Sequence, residues 1–361
     1  MSRAEQYDGL KREIERNLSR ARNGLKYFSG GRFVRTNASS KDVIWAARKA
    51  ELWQYRSDNV KFRTPVLLHI GLVSKSYIFD LHPANSVVQR FLHAGFDVYL
   101  LDWGISDEAD AKNSVATYAL ELLPRAVRAL LKHSGEKDIN LVSYCMGGCL
   151  SLTALGCGEA IPCRSLTTMA VPIDFTKMGD MYTRIRQPDF DVNILLDETG
   201  NVSPGLLRDS VRLRTPMGDA VQYANLLQHM WNDNYMVGFQ ALNEWIGDHV
   251  PLPGGVLREI QKSWLADNGF MTGKLKIAGR PVDLGSIKIP VLCIVAERDE
   301  LVTLEAAIPL PQLLTGADLK VEILQAGHIG LVCGKSADQE TMPVLIDWLT
   351  SHSDPVRRIP R

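Results

Sequence analysis

The sequence predicts an α/β fold in which a mostly parallel central sheet, covered by helices on both faces, is interrupted by an inserted, mainly helical cap. Two observations carry this expectation. Between residues 65 and 173, short β-branched and apolar runs alternate with helical patterns, the rhythm of strands buried on both faces. From about residue 175 to 284 that rhythm is absent, and it resumes at residue 289. The expected organisation is an N-terminal amphipathic helix and loop at 1–40 and a first core segment at 41–174. The cap follows at 175–285 and a second core segment at 286–361.

Residues 4–27 place Tyr7, Leu10, Ile14, Leu18, Ala21 and Leu25 three or four apart, which makes one apolar stripe on a helix. Packing of that stripe on the core is the expected arrangement, with a partner helix as the alternative. Residues 28–40, with Gly30, Gly31, Ser39 and Ser40, read as a loop. Residues 42–55 are expected to hold a strand that pairs with 60–63. Strands follow at 65–73, 96–102, 139–144 and 165–171, and helices at 83–93, 114–133 and 149–155. The interrupting stretch holds three of the seven tryptophans, Trp231, Trp245 and Trp264, with helical patterns at 205–211 and 218–247. Its aromatic residues line an apolar channel or fill the cap's own core. After it come a strand at 289–296, a helix at 303–314, a strand at 320–324 and a last helix at 342–351. The Arg-rich end, 357–361, reads as a frayed terminus.

Of the 361 residues, 45% are hydrophobic and 23% charged, ordinary values for a soluble globular chain. Lys plus Arg and Asp plus Glu number 41 each, which gives no electrostatic footing for nucleic acid or a membrane surface. No apolar run reaches the roughly 20 residues of a transmembrane segment, and residues 1–22 are charged where a signal peptide is apolar. The six cysteines form no C-x-x-C pair. Neither a metal site nor a disulfide framework is expected, and the chain reads as cytoplasmic.

The chemistry gathers at strand ends. The strand at 139–144 breaks at Cys145 into Gly147, Gly148 and a helical pattern. A strand, a sharp turn and a helix with one reactive side chain at the apex make a nucleophile elbow, usually G-x-S-x-G. Here Ser143 replaces the first glycine and Cys145 the serine. The helix's first turn aims N–H groups and a partial positive charge at Cys145, favouring a thiolate and a developing oxyanion. Cys149 reads as a packed helix residue, with a redox pair to Cys145 as the alternative. Asp299 follows the strand at 289–296, and His328 the strand at 320–324. Nucleophile, acid, histidine is the chain order of the α/β-hydrolase fold, and the long gap before Asp299 is where a cap inserts. In that arrangement His328 draws the proton from Cys145, while Asp299 fixes the imidazole tautomer and stabilises the imidazolium. The oxyanion is expected at the backbone amides of Met146 and of the loop after the first core strand, at Val73. His69, His82, His93 and His229 have no such setting.

The Cys145 elbow, Gly327-His328-Ile329-Gly330 and the loop Leu72-Val73-Ser74-Lys75-Ser76-Tyr77 resemble the polyhydroxyalkanoate synthases. So do Asp102-Trp103-Gly104-Ile105-Ser106-Asp107 and Gly279-Arg280-Pro281-Val282-Asp283-Leu284. The likeness runs from about residue 41 to the C-terminal helix, and the length is most similar to the short, two-subunit (class III-like) synthases of poly-3-hydroxybutyrate. The resemblance implies that Cys145 takes the acyl group of a 3-hydroxyacyl-CoA (coenzyme A) substrate as a thioester, with His328 raising its nucleophilicity. Asp299 then helps the hydroxyl of the growing polyester chain or of the incoming unit to attack. It also implies no cofactor besides that substrate, a homodimer through the cap, a small helical accessory subunit, and a location at the surface of polymer granules. Three positions depart from the family pattern: Ser143 for the first elbow glycine, Ser74 for an asparagine, and Glu300 for the histidine after the acid. A cysteine-dependent thioesterase, esterase or acyltransferase on the same fold is the alternative reading.

Overall fold

An eight-stranded sheet forms the centre of the computed structural model, which describes residues 3–32, 39–83, 85–187, 189–214 and 218–356. Its strands are β1 (Lys41–Ala47), β2 (Ala50–Tyr55), β3 (Phe62–His69), β4 (Phe96–Asp102), β5 (Ile139–Tyr144), β6 (Cys163–Met169), β7 (Val291–Ala296) and β8 (Leu319–Leu324). In space they run β1-β2-β4-β3-β5-β6-β7-β8. The β1–β2 and β2–β4 pairs are antiparallel and the rest parallel. β5 sits near the middle with all its residues buried, its polar Asn140 and Ser143 satisfied by Ser165 and Ser151. Residues 42–55 therefore do not pair with 60–63. They form a hairpin whose second strand sets Leu52 opposite Leu101 of β4. Residues 62 and 63 instead open β3, whose two edges are taken by β4 and β5.

The N-terminal helix α1 (Arg3–Phe28) meets the body through one face. The Asn23 side-chain amide donates to the Met230 carbonyl and to Asp233 at 2.8 and 2.7 Å, and the Tyr27 ring lies edge-on to Phe239. The apolar stripe is on the opposite face, at about 100° per residue, and points to solvent: Tyr7, Leu10, Ile14, Leu18 and Leu25 are all more than half exposed. The expectation that the stripe packs on the core is thus overturned, because one helix cannot dock through two opposed faces on one surface. Residues 33–38 of the following loop and the Arg-rich end at 357–361 lie outside the described residues.

Helices α2 (Val87–Ala94), α3 (Leu123–Ser134) and α4 (Met146–Gly156) cover the sheet. Ser86 caps α2 by accepting from the Gln89 amide, and Gly95 closes it at φ 100°, a left-handed position that favours glycine. The pattern at 114–133 is not one regular helix. Pro124 has no N–H to give the turn behind it, and the chain widens to a π-helical turn over Thr117–Leu122 before α3. The single helix expected at 303–314 is likewise two short turns, Leu304–Ala307 and Leu310–Leu313, parted at Pro309.

Between β6 and β7 the chain is mainly helical, including α5 (Asp180–Ile185), α6 (Pro204–Arg214), α7 (Gly218–His229) and α8 (Asp233–Gly247). Trp264 is buried between Phe175 and Phe270, and Trp231 lies under the Arg16 guanidinium at 4.5 Å. Trp245, on α8, is buried and donates its Nε1–H to the Lys75 carbonyl at 2.7 Å. These tryptophans serve packing and docking. No helix among the described residues is long and apolar enough to cross a membrane.

Candidate active site

Cys145 stands between β5 and α4 at φ 54° and ψ −130°, a left-handed backbone for a non-glycine residue. Such strain is characteristic of functional positions and is held by the surroundings. Here the Cys145 amide donates to the Met169 carbonyl at 2.9 Å, and its own carbonyl accepts from Gly148 at 2.8 Å. The two glycines that follow are required by contact. A Cβ on Gly147 would lie 2.7 Å from the Ile70 carbonyl carbon, and one on Gly148 only 2.1 Å from a Val171 methyl. The chain therefore presses against the ends of β3 and β6 directly behind the thiol. The first amides of α4, beginning with Met146, have no partner within the helix.

His328 and Asp299 lie beyond the ends of β8 and β7, on the same edge of the sheet. The Nδ1–H of His328 donates to Asp299 Oδ2 at 2.7 Å, and the other carboxylate oxygen accepts from the Leu301 and Val302 amides at 2.8 Å each. The remaining ring nitrogen is the one left to act on Cys145, whose charge bears on the imidazole. Burial opposes a charge on the imidazole. The negative charges and hydrogen bonds of Cys145 and Asp299 outweigh it and raise the pKa of His328 to about 10. The structure thus brings all three sequence-predicted side chains together, with His328 hydrogen-bonded to Asp299 and Cys145 near enough to act on the imidazole.

Of the two expected oxyanion donors, Met146 is in place at the start of α4. The loop after β3 meets the elbow at Gly71, where a Cβ would lie 2.6 Å from that of Met146. Val73 sits two residues further on, its carbonyl accepting from the Val250 amide at 3.2 Å. This loop is also held by the Trp103 indole, which donates to the Ile70 carbonyl at 2.9 Å. Its outer side borders a cavity of about 750 Å³ lined by Leu72, Lys75, Asp102, Trp103, Glu244 and Asp248, among others.

Two features escaped sequence reasoning. Tyr144, next to the nucleophile, donates its hydroxyl to the His328 carbonyl at 3.0 Å and lays its ring 4.9 Å from the imidazole. Beneath the elbow, the buried Ser143 hydroxyl is 2.8 Å from Ser151 Oγ, which is 2.8 Å from His69 Nδ1. That chain explains the serine in place of glycine: its hydroxyl ties β5 to α4 and β3. Burial lowers the pKa of His69 to about 3, so its imidazole is neutral. Cys149 is fully buried with its thiol toward the Pro172 carbonyl, a packed residue as expected. Ser74 bridges to His249, and Glu300 is exposed.

Comparison with known proteins follows this geometry. The family model described as the alpha/beta hydrolase fold matches residues 64–333. The poly(3-hydroxyalkanoate) polymerase subunit PhaC of Allochromatium vinosum is 30% identical over 332 residues, spanning 90% of this chain and 92% of that protein. The subunit of the same name from Haloferax mediterranei is 29% identical over 325 residues, covering 89% of this chain and 66% of the relative. Among solved structures, MenH from S. aureus superposes with a TM-score of 0.50 at 15% identity, covering 85% of this chain and 99% of that one. That likeness is one of fold alone.

Proposed function

The chain belongs to the poly(3-hydroxyalkanoate) polymerase family of the α/β-hydrolase fold, and from that membership we propose that it is an acyltransferase that builds polyhydroxyalkanoate from 3-hydroxyacyl-CoA. The observation that carries the proposal is the grouping of Cys145 on its strained elbow with the hydrogen-bonded pair His328–Asp299 at the sheet's C-terminal edge.

In the first half-reaction the proton of Cys145 already rests on His328, and the Cys145 thiolate attacks the thioester carbonyl carbon. The resulting oxyanion is held by the Met146 amide and by an amide of the loop after β3, at or before Val73. Collapse breaks the bond to the CoA sulfur, which leaves with the proton from His328, and the acyl group stays on Cys145. In the second half-reaction the hydroxyl of another 3-hydroxyacyl unit or chain end gives its proton to His328 and attacks the Cys145 thioester. An ester forms and the thiol is restored. Asp299 supports both steps through Nδ1 by stabilising the imidazolium. Only 9% of the His328 side chain and none of the Asp299 side chain is exposed, which strengthens the electrostatic hold of Asp299 on the imidazolium.

Both relatives are named as subunits, which supports a working form with a small helical accessory chain. The stretch at 175–285 is assigned the role of a cap that admits the acyl thioester. Rapid quench of the chain with 3-hydroxybutyryl-CoA and peptide mass analysis tests the chemistry. An acyl adduct on the Cys145 peptide is expected, and equal CoA release by Cys145→Ala would overturn the assignment.

A further inference from the structure

The described chain leaves one apolar surface without an explanation. Along α1, the side chains of Tyr7, Leu10, Ile14, Leu18, Leu25 and Phe28 are between 52% and 76% exposed. They span about 32 Å at 1.5 Å per residue, on the face turned away from the anchoring contacts of Asn23 and Tyr27. A continuous exposed patch of this kind marks an interaction site, and three- and four-residue spacing is what a second helix fills.

We infer that this occupant is α1 of a second copy, packed antiparallel. Reversing the helix about its midpoint, between Asn17 and Leu18, sets Tyr7 opposite Phe28, Leu10 opposite Leu25 and Ile14 opposite Ala21. The stripe is thus complementary to itself under a two-fold axis, as a closed isologous contact requires. Part of the flanking charge obeys the same register, while Lys11 falls beside Arg22. All four acidic residues, Glu5, Asp8, Glu13 and Glu15, lie before the midpoint among four basic ones, and only basic residues, Arg20, Arg22 and Lys26, follow it. On one flank Glu13 falls beside Arg20 of the second copy. On the other, Asp8 falls beside Lys26 and Glu15 beside Arg22. A parallel pair would instead set Glu13 near Glu15 and Arg20 near Arg22 of the second copy, like charge against like. Arg22 already pairs with Asp233 at 2.8 Å but is 63% exposed, which leaves it open to a second carboxylate. This places a contact between copies on α1, separate from any the cap makes, and it is independent of the chemistry assigned to Cys145.

Sedimentation velocity of the full chain at micromolar concentration tests it. Ile14→Glu with Leu18→Glu is expected to halve the mass of the assembly, while circular dichroism and CoA release stay unchanged because these side chains are exposed in the single chain. Charge reversal tests the register. Glu13→Arg alone and Arg20→Glu alone each set like charges together at two symmetric points and weaken self-association about tenfold. An equimolar mixture of the two restores opposite charges at both points and returns association to the parental level. Unchanged mass in the stripe variant overturns the inference. If that variant also loses adhesion to polyester granules, the polymer surface is the occupant instead. A mixture no more associated than its parts overturns the antiparallel register.

Discussion

Asp299→Asn separates two roles that the carboxylate can play. The parent Asp299 accepts the Nδ1–H of His328 at 2.7 Å on one oxygen and two amides at 2.8 Å on the other. An isosteric asparagine keeps its oxygen on the two amides, since they are donors, and so turns its own NH2 toward Nδ1. Nδ1 must then accept, the proton moves to the opposite nitrogen, and that nitrogen can no longer receive the Cys145 proton. The charge is lost as well. A unit charge at about 4 Å contributes roughly 4 kcal/mol at an effective dielectric of about 20, and realising half to three-quarters of it slows the step about 30- to 150-fold. Together with the wrong tautomer, the expected loss is about two to four orders of magnitude. Single-turnover CoA release reports acylation alone, and polymer formation reports both half-reactions. Both should fall together. If acylation keeps the parental rate while elongation slows, Asp299 acts on the attacking hydroxyl and the route through His328 is refuted.

Four further outcomes follow from the same geometry. Tyr144→Phe keeps the ring on His328 but removes one of the two donors to the His328 carbonyl, leaving the Leu331 amide at 3.3 Å. Urea unfolding should show a loss of about 0.5–1.5 kcal/mol, and CoA release should slow about tenfold; a stability loss with an unchanged rate would make Tyr144 a packing residue only. Gly147→Ala drives a Cβ to 2.7 Å from the backbone of Ile70 and 2.8 Å from that of His69, atoms that cannot yield, and should cost at least about 2 kcal/mol in the same assay. For pH, the pKa of His328 is raised to about 10 in the fold and is about 6.5 in the unfolded chain. Its stabilising contribution is therefore complete below about pH 6.5 and lost as pH rises through 10. Melting temperatures should fall more steeply over that window in the parent than in His328→Gln. Cys145→Ala removes one of the charges that hold the proton and should lower the pKa of His328 measured by NMR.

The three reactive side chains were legible because each follows a short apolar run, and strands of a parallel sheet deliver their C-terminal residues to one edge. What the chain order could not convey was pairing between distant segments. Tyr144 and the His328 carbonyl are 184 residues apart, and Ser151 and His69 are 82 apart, so no local pattern announces either bond. The partner of β2 was missed for the same reason: adjacency in sequence suggested 60–63, while the competition for sheet edges gave β4. In α1 the 3.6-residue period revealed an apolar face but not what covers it. The proline breaks at 124 and 309 are the opposite case, local signals whose weight was underestimated against a strong helical period.

The most direct test of the account is incubation of the purified chain with 3-hydroxybutyryl-CoA, alone and with a helical accessory chain, following free thiol and insoluble polymer together. Thiol release matched by ester units in polymer, and absent in Cys145→Ala, is the predicted result. Thiol release matched only by free 3-hydroxybutyrate would contradict it, because the acyl-Cys145 thioester would then be yielding to water rather than to a hydroxyl of the growing chain.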